Sequence, residues 1–348
     1  MGDATPFQPD AERIAHWTLQ LCAVETTTGQ EARLIPLLTE LFTEMGAELH
    51  WQPVEGGRRN LLATWGLPRV LFTTHFDTVP PFIPPHREGD RLWGRGTCDA
   101  KGILVSMVEA IRGLLAAGQR DIAFLGVVGE ETDSLGARIA LDLKPRLEAV
   151  VAVINGEPTG RVLATGQRGS AHLNLRCQGK AAHSGTPEEG INAAFPMLDW
   201  INALRALPER RDPLLGPEVW NLGTLQAGRA INVVPDEAEA KVFARTVPGT
   251  TFSQDVIRLT PPCGVVEVLF ERAAEIFPSI EGFPMAPVPF ASDAHTLRGL
   301  ARERFVAMTG PGTIRVAHTQ DEHLDLAEAV EGARQYFALA SHLLATRG

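Results

Sequence analysis

Apolar runs and helically spaced apolar positions alternate through the first half of this chain. TTTGQEARLIPLLTELFTEMG carries Leu34, Leu37, Leu38, Leu41 and Met45 on one helical face, with Thr28 and Glu31 at capping-box spacing, so a helix is expected there. The short apolar runs NLLATW, RVLFTTH, DIAFLGVVGE, AVVAVINGE and, far downstream, RFVAMTGPG read as buried strands. Between them, Leu104, Met107, Val108, Ile111 and Leu115 form a stripe able to cover a sheet. Strands alternating with helices predict a layered α/β domain.

From about residue 165 the rhythm changes. SAHLNLRC alternates Leu173, Leu175 and Cys177 with His172, Asn174 and Arg176, the pattern of a half-buried antiparallel strand. The helix candidate INAAFPMLDWINALRAL, the strand-like EVWNLGTLQAG and DEAEAKVFARTV, a helix from about Ser253 and the strand GVVEVLFERA follow. This β-α-β-β-α-β order is that of a ferredoxin-like unit. The closing helix LAEAVEGARQYFALASHLL resumes the first style. The expected organisation is an α/β domain over residues 1–164 and 280–348, interrupted by an inserted α+β domain over 165–279.

Composition removes several classes of function. A formal net charge of −10 argues against a nucleic-acid partner, which needs clustered Lys and Arg. Apolar residues make up 44% of the 348, yet no unbroken run approaches the roughly 20 a membrane span requires. MGDATPFQPDAER lacks the basic-then-apolar order of a secretory signal, so the cytoplasm is the expected location. Cys22, Cys98, Cys177 and Cys263 lie far apart without CxxC spacing and are expected to be reduced.

The strand endings bring in chemistry. RVLFTTHFD ends in His75 and Asp77, DIAFLGVVGEE in Glu130 and Glu131, AVVAVINGE in Glu157, and His318 follows FVAMTGPG. In open α/β sheets, ligands bind at the carboxyl ends of strands. With Asp99 of the glycine-rich GRGTCDAKG, the residues His75, Glu131, Glu157 and His318 make a nitrogen and oxygen donor set suited to zinc or its neighbours. A shared Asp can bridge two ions roughly 3.5–4 Å apart, and Glu130, the spare carboxylate, is placed as a general base. Asp77 projects to the same side as His75 and could fix its tautomer. Blander readings compete at each position. Paired glutamates usually form a solvated face, a lone His is more often a satisfied polar residue, and His323 rivals His318. GRGTCDAKG lacks phosphate-loop spacing, and Cys98 has no accompanying Cys/His pattern of a thiol nucleophile.

Taken in order, TTHFDTVP, WGRGTCDAKG, GEETDSLGA, NGEPT, GKAAHSGTPEEGINA and GPGTIRVAHTQDEHL resemble the acetylornithine deacetylase, succinyl-diaminopimelate desuccinylase and aminoacylase family of dinuclear zinc hydrolases, over about residues 65–325. The resemblance implies a zinc-exopeptidase-like catalytic domain and a lid and dimerisation role for the insert. It implies one ion on His75, Asp99 and Glu157, a second on Asp99, Glu131 and His318, and Glu130 as base. It favours His318 over His323, since the family's ligand directly follows a small residue. It further implies that His183 helps stabilise the oxyanion from the partner subunit, that Asn232 and Arg245 bind the substrate carboxylate, and that the Asp99–Ala100 peptide is cis. Arg168, His86, Ser292 and Asp293 fall near the expected site in related sequences.

The function so implied is hydrolysis of the amide bond of an N-acyl-L-amino acid by two divalent ions, zinc or alternatively cobalt, in a homodimer. GEPT and GPGTIRVAHTQDEHL look closest to acetylornithine deacetylase and the carrier-protein-linked lysine hydrolases. The alternatives are a carboxypeptidase or dipeptidase of the same fold, and a silent homologue that only binds amino-acid-like ligands.

Overall fold

In the computed structural model, which describes residues 7–347, the five apolar runs read as strands all enter one six-stranded sheet. Its order is Glu48–Pro53, Arg59–Thr64, Ile122–Val127, Val70–His75, Ala152–Gly156 and Val306–Thr309. The last four run parallel to one another, while at one edge Arg59–Thr64 runs the other way and pairs antiparallel with both of its neighbours. Every residue of the four parallel strands is buried. Burial on both faces is why they read as unbroken apolar runs rather than alternating ones.

Three helices, Ala11–Ala23, Lys101–Ala116 and Leu326–Thr346, pack against one another. Leu104, Met107, Val108 and Ile111 are buried as the stripe requires, but Leu114 takes the buried place at its end and Leu115 is only half-buried. They join Phe72, Phe124, Ile154 and Tyr336 in one core. Full burial of such a side chain contributes about 1.5–3 kcal/mol.

The capping box does not form as expected. Glu31–Leu34 is a 3₁₀ turn without a side-chain cap, and the α-helix proper is Ile35–Glu44. Glu31 Oε2 still reaches back to accept the Gly29 N–H at 2.7 Å. Thr28 is diverted: its hydroxyl donates to Asp77 Oδ2 at 2.9 Å.

The described chain divides into two compact units. One takes everything up to Ala164, Phe277–Ala286 and everything from Ser292 onward; the other is Thr165–Ile276 with Pro287–Ala291. The second unit holds an antiparallel sheet ordered Val219–Ala227, Glu237–Thr246, Gly169–Gln178, Gly264–Arg272. Its helices Ala194–Arg205 and Phe252–Arg258 are joined where Trp200 Nε1 donates to Val256 O at 3.2 Å. Leu173, Leu175 and Cys177 are buried in this unit's own core while Arg176 is exposed, the alternation its sequence carries. All four cysteines are free thiols. Among the described residues no helix is long and apolar enough to cross a membrane.

Candidate metal centre

Parallel strands that end at the same level deliver their terminal residues to one rim. His75 is the last residue of its strand, Glu130 and Glu131 lie in the turn after Ile122–Val127, and Glu157 directly follows Ala152–Gly156. Asp99 stands two residues ahead of the helix Lys101–Ala116, and His318 lies in the loop after Val306–Thr309. These positions converge in two triads, His75, Asp99, Glu157 and Asp99, Glu131, His318, each offering one donor atom per residue within 4.8 Å of the others. Asp99 belongs to both. The Asp99–Ala100 peptide is cis, as the family resemblance implies. Behind it, the buried Lys101 ammonium donates to Leu21 O at 3.1 Å and Val24 O at 2.8 Å, tying down the end of the helix Ala11–Ala23. Burial lowers its pKa to about 8.

The donor chemistry fits cations. His75 Nδ1 lies 3.1 Å from the Asp77 carbonyl oxygen, so Nδ1 carries the proton and Nε2 turns its lone pair toward Asp99 Oδ1, 3.0 Å away. Two acceptors that close require a proton or a cation between them. His318 repeats the arrangement, with Nε2 3.0 Å from Glu131 Oε1 and 3.4 Å from Asp99 Oδ2. Protons alone would have to be held tightly: bonds to Asp99 and Glu131 push His318 up to about 10. Burial would lower His75, but its contacts with Asp77 and Asp99 raise it well above the usual imidazole range. Burial and then the charge of Glu157 push Glu130 well above the carboxylate range, and burial likewise raises Glu157. Divalent cations relieve this crowding of buried carboxylates, and a set of imidazole and carboxylate donors without thiolate suits zinc and its first-row neighbours.

Asp77 does more than stand beside His75. Its carboxylate Oδ1 lies 3.5 Å and its backbone carbonyl oxygen 3.1 Å from His75 Nδ1, so both face the protonated nitrogen. The carboxylate also accepts the backbone N–H of Glu130 and of Glu131, both at 3.2 Å, and the Thr28 hydroxyl. Asp77 therefore orients the turn that carries Glu130 and Glu131. Burial opposes ionisation of Asp77, but the bonds from His75 and Thr28 hold its pKa below the usual value.

Asn155 and Thr28 escape a reading of the sequence, whereas Ser292 and Asp293 are singled out by the family resemblance alone. Asn155 Nδ2 donates to Glu157 Oε1 at 3.3 Å and to Ser292 Oγ at 3.4 Å, and the buried Asp293 is close enough for its charge to raise Glu130 and Glu157. The pairing of Ser292 and Asp293 in the related motifs was the one available signal for them. Thr28 had none, because its side chain looked like a helix cap.

The remaining candidates divide. His323 does not join the triads: its Nδ1 lies 2.7 Å from Asp321 O and its ring 4.6 Å from that of Trp93. His86 is exposed and stacked on Trp93. In the second unit, His183 and Asn232 lie side by side. His183 bridges to Val233, Ser184 N–H donates to Asn232 O at 3.0 Å, and both side chains are exposed. Arg245 sits on Glu237–Thr246 with its guanidinium 4.9 Å over the Phe243 ring. Arg168 Nε donates to Leu215 O at 2.9 Å.

Comparison with known proteins decides the family. The model of peptidase family M20/M25/M40 matches residues 71–342, a span holding every residue of both triads and Glu130. The chain belongs to peptidase family M20/M25/M40. A peptidase M20 domain-containing protein of Schizosaccharomyces pombe is 30% identical over 94% of this chain and 84% of that relative. A probable carboxypeptidase of Aspergillus clavatus is 32% identical over 93% of this chain and 88% of its own length. The aminopeptidase PepT of Bacillus cereus shares the fold, with a TM-score of 0.81 over 97% of this chain and 99% of PepT at 24% identity. This M20 chain is thus a hydrolase of the peptidase class with a mixed α/β fold, and divalent metal ions are the cofactors its family generally uses.

Proposed function

We propose that this M20 chain is a two-metal exopeptidase that releases the C-terminal residue of a short peptide. The observation that carries the proposal is the pair of triads sharing Asp99, with Glu130 beside them. His75, Asp99 and Glu157 would hold one ion and Asp99, Glu131 and His318 the other, zinc first and cobalt as the alternative. Ions bound there would polarise the scissile carbonyl and make water more acidic. Glu130 takes the proton of the attacking water and returns it to the leaving amine, while Asp77 and Thr28 hold the Glu130–Glu131 turn in place.

His183, Asn232 and Arg245 are assigned to the substrate rather than to the ions. A planar guanidinium suits a bidentate hold on the free carboxylate of the departing residue, which gives Arg245 and Asn232 that role. His183 stabilises the oxyanion across a homodimer built on the second unit. The adjacency of His183 and Asn232 supports assigning both to the substrate, one at the oxyanion and one at the carboxylate.

The N-acyl amino acid reading remains the second candidate, and its chemistry explains why the two are close. An acylated amino acid and a peptide C-terminus present the same unit, an amide carbonyl one residue from a free carboxylate. The relative named a probable carboxypeptidase favours the peptide. The segments GEPT and GPGTIRVAHTQDEHL favour the acyl amino acid. The complete donor set and base weigh against a homologue that only binds.

The test is a substrate panel on zinc-loaded protein: N-blocked dipeptides, free dipeptides and N-acetyl amino acids. N-blocked dipeptides should be preferred in kcat/KM by roughly tenfold or more, with turnover lost on chelation and restored by zinc. Turnover confined to N-acetyl amino acids would establish the deacylase instead.

A further inference from the structure

We infer that the buried pair Arg95 and Glu322 is a positioning device that holds the Asp99 loop in register with the His318 segment and thereby sets the affinity of both ions; the inference rests on the two-ion reading above. Neither residue offers an atom to the triads. Both are almost fully buried, Arg95 at 2% and Glu322 at 1% exposure.

Glu322 Oε1 accepts three backbone N–H groups, from Gly96 at 2.8 Å, Asp99 at 3.1 Å and Cys98 at 3.3 Å, and its Oε2 accepts from the Arg95 guanidinium. Its backbone oxygen accepts the Gly94 N–H at 3.0 Å, and the next residues, His323–Asp325, run antiparallel to Arg91–Trp93. Glu322 also stands four residues past His318. One side chain thus joins the loop presenting Asp99 to the segment presenting His318.

Arg95 extends the junction to a third segment. Its backbone N–H donates to Ile83 O at 3.1 Å and its Nε to Pro81 O at 3.3 Å, on the stretch that continues from His75 and Asp77. Within itself and to its helix the loop is held by Thr97, which donates to Gly94 O, and by Gly102 N–H, which donates to Gly96 O, but the N–H groups of Gly96, Cys98 and Asp99 are collected by Glu322. Gly94 and Gly96 take φ of 125° and 88°, and residues 94–100 pair with no strand. A backbone of that freedom takes its shape from whatever collects its N–H groups. Here the collector is a carboxylate, and the guanidinium beside it makes that charge tolerable in a buried place.

The charge is what the arrangement needs. In Glu322→Gln one carboxylate oxygen becomes an NH₂, which must face either the loop N–H groups or the guanidinium, donor against donor. A buried donor then lacks an acceptor, and the loop shifts to find one. Because Asp99 serves both triads, the two ions should weaken together, which loss of a residue serving one triad would not produce.

The experiment titrates metal-free parent and Glu322→Gln with cobalt(II), read by visible absorption and calorimetry, with circular dichroism confirming the fold. The expected result is a parent that binds two ions and a folded variant in which both bind roughly 10–100-fold more weakly. A folded variant with parental affinity would overturn the inference and leave the pair a purely structural one, and so would weakening of one ion alone. A parent that binds no ion would overturn the two-ion reading and this inference with it. If Glu322→Gln does not fold, Glu322→Asp decides. It keeps the counter-charge for Arg95 but is too short to reach all three N–H groups, so it should bind both ions more weakly, and parental affinity would again overturn the inference.

Discussion

Glu130 and Glu131 are chain neighbours whose backbone N–H groups both hang on Asp77, yet their carboxylates have different surroundings. Glu131 meets His318 at 3.0 Å, while Glu130 makes no such contact and lies within the field of Glu157, His75 and Asp293. A ligand and a base can be told apart by removing charge while keeping volume. Glu130→Gln should lose roughly 10²–10⁴-fold in kcat and retain parental ion affinity, because no donor atom of either triad is altered. Steady-state kinetics alongside ion titration checks both halves, and undiminished turnover would remove Glu130 from the role of base. The triad residues were legible because metal chemistry admits few residue types and strand ends supply their place. Thr28, Asn155 and Glu322 were not. Thr28 and Glu322 act through partners that only folding brings near, 49 residues away for Thr28 and Asp77 and 223 for Glu322 and Asp99, while Asn155 reaches Glu157 two residues on and so looks like any strand residue. The backbone carbonyl that meets His75 Nδ1 alongside the Asp77 carboxylate was not legible either, because every residue carries one.

At the level of elements, visibility followed burial. The four parallel strands are buried on both faces and stand out as runs, whereas Glu48–Pro53, with one buried residue and the rest exposed or half-exposed, has no run to notice. The helix start near Thr28 was misplaced because a hydroxyl at cap spacing serves equally well as a donor to a distant carboxylate. The join between the Asp99 loop and its helix can be tested at Gly102. A Cβ there would lie 2.0 Å from the Thr97 carbonyl oxygen and 2.7 Å from Leu324 Cδ2. Alanine would gain up to about 1 kcal/mol in helix propensity, but overpacking costs about 1–3 kcal/mol, and a backbone oxygen cannot swing aside as a side chain can. The clash should win. Gly102→Ala is expected to lower the urea midpoint and weaken ion binding through displacement of Asp99; an unchanged or higher midpoint would show that the loop yields freely.

At the scale of the whole molecule, the candidate residues are divided between the two units. Each has its own core, one around Phe72, Phe124 and Tyr336, the other around Leu173, Trp200 and Phe252. All members of both triads belong to the first unit, while His183, Asn232 and Arg245 belong to the second. Ions that bind only the folded first unit stabilise that unit by mass action, by about 2.7 kcal/mol at a hundredfold excess over Kd. For a unit of its size, each kcal/mol moves Tm by about 2–4 °C, so chelation should lower its transition by roughly 5–10 °C. The second unit holds no triad and should melt where it did before. Differential scanning calorimetry of the full chain, with zinc and with chelator, is therefore expected to show two transitions of which one moves. Two transitions moving equally would mean that the ions act on both units, and two that stay fixed would mean that the triads hold no ion tightly enough to matter for folding.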